Sequence, residues 1–157
     1  MEILDASGLG HVSVMIHLRS ATEDDAALLL AWRNDPITRA ASRSTEPVEF
    51  AVHLQWLRSN LSSQAVKIFI AEHDGRPVGV VRAVHCGEYS ELSWTVAPVD
   101  RGKGIGAEIV SRAVSVIGVR PLRAEIRSEN NASIRIAEKC GFVLQRERDH
   151  FLFYQLV

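Results

Sequence analysis

Residues 96–107 read Val-Ala-Pro-Val-Asp-Arg-Gly-Lys-Gly-Ile-Gly-Ala, and they join a β-like run, Leu92–Val96, to an apolar helical pattern. Three glycines at alternate positions lack Cβ atoms, so the backbone N–H groups of a tight turn can crowd together and face one ligand. A helix that starts where the turn ends adds unpaired N–H groups and the positive end of its dipole. Arg101 and Lys103 add cationic side chains. The stretch therefore predicts a binding site for a diphosphate group.

The spacing of the glycines distinguishes this loop from two common nucleotide-binding loops. The Rossmann fingerprint is Gly-x-Gly-x-x-Gly, whereas residues 102–106 read Gly-x-Gly-x-Gly. The Walker loop needs Ser or Thr after its Gly-Lys pair, whereas Lys103 is followed by Gly104. Neither nucleotide motif fits. On the loop alone, a glycine-rich β–α turn without a ligand is the alternative interpretation.

The length and composition indicate one globular domain with its own core. The chain has 157 residues, of which 46% are hydrophobic and 24% charged, as is ordinary for a soluble domain. The formal net charge of −1 argues against a general nucleic-acid or membrane-surface role. No apolar run reaches the roughly 18 residues of a membrane span, and no basic secretory signal is visible. We expect a cytoplasmic domain over residues 12–157, after a short N-terminal lead-in at residues 1–11.

The cysteines and histidines carry no metal-binding or redox spacing. Cys86 and Cys140 form no recognised motif, and a reduced cytoplasmic chain is the simplest interpretation. No two of the six histidines have the i, i+4 spacing of a helical metal site. We therefore predict neither a disulfide nor a metal.

Hydrophobic periodicity predicts the element order β-α-α-β-β-β-α-β-α-β-β. An antiparallel meander followed by β-α-β-α-β indicates an α/β (α+β) fold, a mixed, mostly antiparallel central sheet with helices on both faces. Residues 34–47 read as a long polar loop, a kind of loop that often contacts substrate. The predicted strands and helices are Val12–Arg19, Ala26–Trp32, Phe50–Leu57, Val66–His73, Pro77–His85, Glu91–Val96, Gly104–Ile117, Leu122–Arg127, Asn131–Lys139, Phe142–Arg146 and His150–Leu156.

A second motif extends the signal from the glycine-rich loop. Residues 130–142 read Asn-Asn-Ala-Ser-Ile-Arg-Ile-Ala-Glu-Lys-Cys-Gly-Phe, a capped helix that ends at a glycine. Together with Arg101–Gly106, this segment resembles the GNAT acetyltransferase superfamily, whose order of elements is also the predicted one. The resemblance implies a GNAT fold and an N-acetyltransferase that transfers an acetyl group directly from acetyl-CoA to a primary amine. It also implies a homodimer, since such proteins often pair through sheet edges.

The resemblance assigns the cofactor-binding residues. Strand residues 92–96 would offer backbone groups to the pantetheine arm, as an added strand does, and a backbone N–H near Val96 would hold the oxyanion. The two parallel strands, Glu91–Val96 and Leu122–Arg127, should diverge to admit the thioester. The residues implied for acetyl-CoA are Trp94, Thr95, Val96, Arg101, Gly102, Lys103, Gly104, Ile105, Gly106, Asn130 and Ser133.

The reaction requires a neutral amine, and an amine is mostly protonated near pH 7, so a base or a water chain must take its proton. The position of Glu125 resembles that of the carboxylate that related N-terminal acetyltransferases use as the base. The alternative interpretation of Glu125 is a cross-strand ion pair with Arg123 or Arg127. Glu91 opens the preceding strand and is the second candidate, with a solvated strand end as its alternative.

One departure from the family concerns the group that protonates the leaving sulfur. The family often has Tyr four residues after Ser133, where this chain has Ala137. Tyr154, Cys140 or a water could substitute, or the thiolate could leave unaided.

The N-terminal half suggests the acceptor. Its segments Leu18–Asp25, Trp32–Pro36 and His53–Trp56 resemble amino-sugar-nucleotide N-acetyltransferases, whereas Ser133–Phe142, which lacks the tyrosine, resembles the branch that includes ribosomal-protein N-terminal acetyltransferases. The acceptor is interpreted as an amine on a nucleotide-linked sugar, with no nucleic acid or membrane as partner. A protein N-terminus and a non-catalytic CoA-binding sensor are the alternatives. His53 and Trp56 share a helix face and could bind a sugar or nucleotide; the alternative interpretation of this pair is a half-buried aromatic edge. Basic residues near the polar loop could bind a substrate diphosphate, and the alternative is that they are only solvated. The implied substrate residues are Arg33, Asn34, Arg39, His53 and Trp56.

Overall fold

Seven strands form one sheet through the middle of the molecule. The computed structural model describes residues 2–4, 10–12 and 14–157, with side chains from residue 14 onward. A separate antiparallel pair joins β1 (Glu2–Leu4) to β2 (Gly10–Val12). The sheet contains β3 (His17–Ser20), β4 (Val66–His73), β5 (Arg76–His85), β6 (Ser90–Val96), β7 (Leu122–Arg127), β8 (Val143–Arg148) and β9 (Phe151–Leu156). Their order in space is β3-β4-β5-β6-β7-β9-β8, and every neighbouring pair except β6–β7 is antiparallel.

The N-terminal strand differs from the prediction. The predicted strand Val12–Arg19 is divided, because β2 ends at Val12 and β3 begins only at His17, while residue 13 lies outside the described residues. Of the predicted lead-in, residues 1 and 5–9 also lie outside them. Across the described residues, none of the helices combines the length and apolar character of a transmembrane span.

Helices cover both faces of the sheet, as the alternation of apolar residues predicts. Ile70 and Ala71 are adjacent in β4, yet they belong to different buried clusters, because successive strand side chains point to opposite faces. One cluster packs Leu29 and Leu57 against the sheet, and the other packs Ile109. The helices are α1 (Ala26–Asn34), α2 (Pro36–Ala41), α3 (Phe50–Ser62), α4 (Ile105–Ile117) and α5 (Asn131–Lys139).

The prediction of a continuous loop over residues 34–47 is wrong, because α2 occupies part of it. The Asp35 carboxylate accepts hydrogen bonds from two backbone N–H groups of the first turn, each at 3.2 Å. Pro36 at the first helical position has a backbone angle suited to a helix and needs no hydrogen-bond acceptor. Asp followed by Pro therefore starts a second helix here and does not merely end α1.

The central sheet opens between β6 and β7. These strands pair at only two positions, Ser90 with Leu122 and Glu91 with Arg123, whereas the opposite edge of β6 stays paired with β5 as far as Val96. The backbone of β6 beyond Glu91 is therefore unpaired on its β7 side. This is the divergence that the family resemblance implies, and it places a gap at the middle of the sheet.

Two ion pairs tie the ends of elements to the sheet. Arg19 of β3 donates to both carboxylate oxygens of Asp25, at 2.7 and 2.9 Å. Arg76 of β5 donates to both oxygens of the buried Asp100, each at 2.9 Å. These hydrogen bonds hold the pKa of each carboxyl below its ordinary value, against the opposing effect of burial.

Because the folded pKa values are depressed, the stabilisation from these carboxylates is complete above the unfolded-state pKa and is lost as the pH falls through the folded values. We expect the free energy of unfolding, measured with denaturant, to fall between about pH 5 and about pH 2. Asp100→Asn should be less stable near neutral pH and less sensitive to acid. Asp74→Asn is the control, since the Asp74 side chain is 89% exposed. Equal acid sensitivity in wild type and Asp100→Asn would contradict the assignment.

Candidate functional site

Two cavities adjoin at the gap between β6 and β7. The large cavity has a volume of about 620 Å³ and lies among α1, α2, α3 and strands β4–β7. The loop cavity has a volume of about 470 Å³ and lies among the glycine-rich loop, α4, α5 and β6. They lie side by side, since both are lined by Thr38, Ala41, Trp94, Thr95, Asn130 and Ser133.

Two glycines shape the loop cavity. Gly102 and Gly104 have φ angles of 75° and 77°, in the left-handed region that other residues rarely adopt. A Cβ atom at either position would have no heavy atom within 4 Å, and both residues line the cavity. Gly104 also caps α4 without a side-chain acceptor, which leaves the first N–H groups of this helix available to a ligand. A diphosphate therefore fits the loop cavity.

Gly106 serves packing instead. A Cβ atom there would overlap Ile136 Cδ1 and would lie 3.1 Å from Val96 Cγ2. The absence of a side chain at Gly106 lets α4 approach both α5 and β6, so the glycine sets the depth of the loop cavity.

The two predicted cations of the loop differ in position. Arg101 lines the loop cavity, where it forms an ion pair with Asp35 at 2.9 Å and donates to Thr38 Oγ1 at 2.8 Å. These contacts tie the loop to the start of α2. The Lys103 side chain is mostly exposed, and its Nζ lies 3.8 Å from Asp100 Oδ1, outside the lining of the cavity.

The structure brings together all of the residues implied for acetyl-CoA except Lys103. Asn130 caps α5, since its Oδ1 accepts the backbone N–H of Ser133 at 3.2 Å, and this cap faces the glycine-rich loop across the cavity. The implied residues that line the loop cavity are Trp94, Thr95, Val96, Arg101, Gly102, Gly104, Ile105, Gly106, Asn130 and Ser133.

The two candidate bases, Glu91 and Glu125, both line the large cavity. Arg43 donates to both carboxylate oxygens of Glu125, with a Nε–Oε2 distance of 3.0 Å and a second bond from Nη2 to Oε1. The predicted alternative partners are wrong, because Arg123 donates to Gln155 Oε1 at 3.0 Å and Arg127 donates to a backbone carbonyl. Arg43 lies 82 positions from Glu125 in the chain, so sequence spacing gives no signal for this pair.

Residues 42–48, which we call the bridging segment, lead from α2 toward α3 and contact β7 beside the large cavity. Arg127 of β7 donates to the carbonyl oxygens of Ser42 and Arg43, at 2.9 and 3.4 Å. Arg33 donates to the Ser44 carbonyl at 2.9 Å. These bonds join the segment to both sides of the cavity.

Two residues predicted to contact substrate anchor this segment instead. Asn34 exchanges two hydrogen bonds with the backbone of Val48, each of 2.8 Å. Arg39 donates to the Thr45 carbonyl at 3.5 Å. Neither Asn34 nor Arg39 is among the residues that line the large cavity, so the structure does not bring these two predicted substrate residues together with the others. Arg33, His53 and Trp56 do line it.

An aromatic and cationic cluster forms one wall of the large cavity. His53 and Trp56 stack with ring centroids 5.5 Å apart, and the Arg82 guanidinium lies 5.4 Å from the Trp56 ring centroid. Arg82 also donates to Asn60 Oδ1 at 2.9 Å. Arg82 was not predicted from the sequence, although a charged residue within an otherwise apolar strand was an available signal.

His53 is a buried neutral group in this wall. Its side chain is almost inaccessible, and its Nε2 has no hydrogen-bond partner within the described part of the chain. Burial lowers the pKa of His53, and the nearby Arg33 charge lowers it further. Near neutral pH the imidazole is therefore uncharged, and one polar nitrogen of the wall is left for a ligand.

Neither candidate substitute for the missing tyrosine lies at the cavities. The Tyr154 hydroxyl donates to Glu138 Oε1 at 3.3 Å, and the Cys140 thiol donates to the Ala107 carbonyl at 3.5 Å. Burial raises the pKa of both groups, and neither residue lines either cavity. The two cysteines are unpaired thiols. Within residues 14–157, no group of three His, Cys, Asp or Glu side chains is placed to hold a metal ion.

The sequence of this chain is similar to those of known acetyltransferases. Residues 16–143 match the family model described as an acetyltransferase (GNAT) domain. The acetyltransferase PseH of Campylobacter jejuni strain 81-176 is 25% identical over 143 residues, which cover 87% of this chain and 90% of that protein.

Solved structures share the fold. A ribosomal-protein-alanine N-acetyltransferase from Brucella melitensis superposes with a TM-score of 0.76 at 27% identity, covering 92% of this chain and 99% of that one. An aminoglycoside acetyltransferase AAC(6′)-Ib in complex with coenzyme A superposes with a TM-score of 0.76 at 23% identity, covering 90% of this chain and 93% of that one. The predicted mixed, mostly antiparallel fold is confirmed.

Proposed function

Because this chain belongs to the GNAT acetyltransferase family, and so is an N-acetyltransferase that uses acetyl-CoA, we propose that its acceptor is a small-molecule amine that carries negative charge. An amino sugar linked to a nucleotide is the acceptor we place first. The observation that carries the proposal is the charge of the large cavity, where the guanidinium groups of Arg33 and Arg82 have no carboxylate partner among residues 14–157.

The loop cavity is the proposed site for acetyl-CoA. The open space at Gly102 and Gly104 and the N-terminus of α4 suit the diphosphate. The unpaired edge of β6 offers backbone groups to the pantetheine amides. Acetyl-CoA supplies the acetyl group as a thioester when it is bound. The residues of the chain orient the acceptor amine and remove its proton.

Glu125 is the proposed base, with Glu91 as the second candidate. Both carboxylates line the large cavity next to the gap in the sheet, where an amine would approach the thioester. An ionised carboxylate has about four lone-pair positions, and Arg43 uses two of those on Glu125. The others are free to accept a proton from the acceptor ammonium, directly or through a water.

The charge of the large cavity favours an anionic acceptor. Arg33 and Arg82 line the cavity, and within residues 14–157 neither forms an ion pair. Nη1 of Arg33 is buried and has no hydrogen-bond partner among those residues. A phosphate or carboxylate would supply the missing acceptors through charge-assisted hydrogen bonds. The stacked rings of His53 and Trp56 offer a flat surface to a sugar or base beside these cations.

The first experiment is a measurement of free-thiol release from acetyl-CoA with a panel of amines. The panel contains a UDP-linked amino sugar, peptides with ribosomal-protein N-termini, and spermidine. We expect selective turnover of the amino sugar, and a raised KM for it in Arg82→Gln. Selective turnover of the peptides would overturn the proposal in favour of N-terminal acetylation. Absence of turnover of the amino sugar would also overturn it.

A further inference from the structure

We propose that Arg43 is a specificity-determining residue, whose guanidinium occupies the cation site at Glu125 and so excludes polycationic acceptors such as polyamines. The inference rests on the proposed function of the large cavity as the acceptor site. It concerns a contact between the bridging segment and β7, in which each partner comes from a different part of the chain.

The geometry of the pair is that of a cation held at a carboxylate. Arg43 binds both oxygens of Glu125 in a forked arrangement, which is the strongest geometry available to a guanidinium. Its guanidinium carbon also lies 4.2 Å from the centroid of the Phe151 ring, at a distance typical of cation–π contacts. The Arg43 side chain is 62% exposed and that of Glu125 is 25% exposed, so the guanidinium is the more solvent-exposed partner of the pair.

The backbone of Arg43 is held independently of this ion pair. Arg127 donates to the carbonyl oxygens of Ser42 and Arg43, and Arg33 donates to that of Ser44. None of these bonds uses the Arg43 side chain. A change of that side chain should therefore alter the charge at Glu125 and leave the bridging segment in place.

The charge balance of the large cavity depends on this residue. Three arginines and two glutamates line it, namely Arg33, Arg43, Arg82, Glu91 and Glu125. A polyamine needs several unneutralised carboxylates to replace the hydration of its ammonium groups. With Arg43 in place, the arginines outnumber the glutamates and the Glu125 charge is neutralised. Without it, positive and negative charges balance, and both glutamates become available to ammonium groups.

The test compares spermidine with an anionic acceptor in four proteins. We expect Arg43→Gln to raise kcat/KM for spermidine, relative to the anionic acceptor, by about tenfold or more, since one neutralised contact commonly changes affinity on this scale. Arg43→Lys, which keeps the charge, should behave like the wild type. Arg123→Gln is the matched control. Arg123 lies on β7, the strand of Glu125, but it binds Gln155 and does not line the large cavity.

Two further measurements separate a charge effect from a structural one. Calorimetric titration of spermidine into each protein measures affinity without turnover, and it should show the same gain for Arg43→Gln. Added methylguanidinium should suppress spermidine turnover by Arg43→Ala, because it can refill the vacated site, whereas it should not affect the wild type. A merely distorted cavity would not respond to this ion.

The outcomes also separate this inference from the proposed function. If the wild type acetylates an anionic acceptor and Arg43→Gln gains nothing with spermidine in either assay, the inference about Arg43 fails alone. If Arg123→Gln gains as much as Arg43→Gln, the effect is one of overall charge and the inference again fails. If the wild type prefers spermidine to every anionic amine, both the proposed function and the inference fail.

Discussion

Gly104→Val loses measurable affinity for acetyl-CoA while the chain remains folded; this is the largest binding effect that we expect from a single substitution. Gly104 has a φ of 77° and open space where its Cβ would lie, and that space belongs to the loop cavity. A branched side chain would fill the position that the diphosphate needs and would displace the N–H groups at the start of α4. Calorimetric titration with acetyl-CoA measures the loss.

The substitution also strains the backbone, and Gly75 provides the control for that strain. Gly75 lies in the turn between β4 and β5 with a φ of 75° and open space around it, and it lines neither cavity. Val at either position should cost about 1–2 kcal/mol of stability, the usual penalty of the left-handed region. Only Gly104→Val should lose the cofactor. Equal acetyl-CoA affinity in the two variants would remove the loop as the diphosphate site.

Glu125→Gln should lower kcat by about a hundredfold or more, the usual contribution of a positioned base, and leave the dissociation constant of acetyl-CoA unchanged. Glutamine keeps the shape of the side chain and can still accept one hydrogen bond from Arg43, but it cannot take a proton from the acceptor. The loss should be largest at low pH, because the smallest fraction of the acceptor amine is already neutral there. A pH–rate profile with saturating acetyl-CoA measures it.

Glu91→Gln is the matched variant for this prediction, since Glu91 lines the same cavity and no ion pair engages it among the described residues. If Glu125 is the base, the Glu91 variant should retain most of its kcat. A large loss in Glu91→Gln together with an unchanged profile in Glu125→Gln would assign the base to Glu91. Unchanged profiles in both would leave proton removal to water.

Local sequence signals predicted the elements whose ends are marked by special residues. Strand β4 has the predicted bounds, Val66–His73, because apolar residues fill it and Asp74-Gly75 turns the chain. Helix α5 also has its predicted bounds, set by the Asn130 cap and by Gly141 just beyond its end. These signals act over a few residues, so they can be read without knowledge of the fold.

Contacts between distant parts of the chain were not predictable in the same way. Arg43 is one of two arginines in the polar stretch of residues 34–47, and only the assembled sheet selects it as the partner of Glu125. The same holds for Asn34, whose amide reads as a substrate contact but binds the backbone of Val48. Sequence patterns predicted polar residues near the proposed acceptor site, whereas the roles of these residues depend on packing.

The short pairing of β6 with β7 has a consequence for self-association. An unpaired strand edge can recruit a strand from another molecule, and proteins commonly protect such edges. Here the unpaired part of β6 lies inside the sheet, because β6 is flanked by β5 and β7 and is joined to β7 at Ser90 and Glu91. A strand from a second chain could pair with these groups only by entering the gap between β6 and β7. The position of these free backbone groups inside the sheet should therefore favour a small ligand over a strand of another polypeptide.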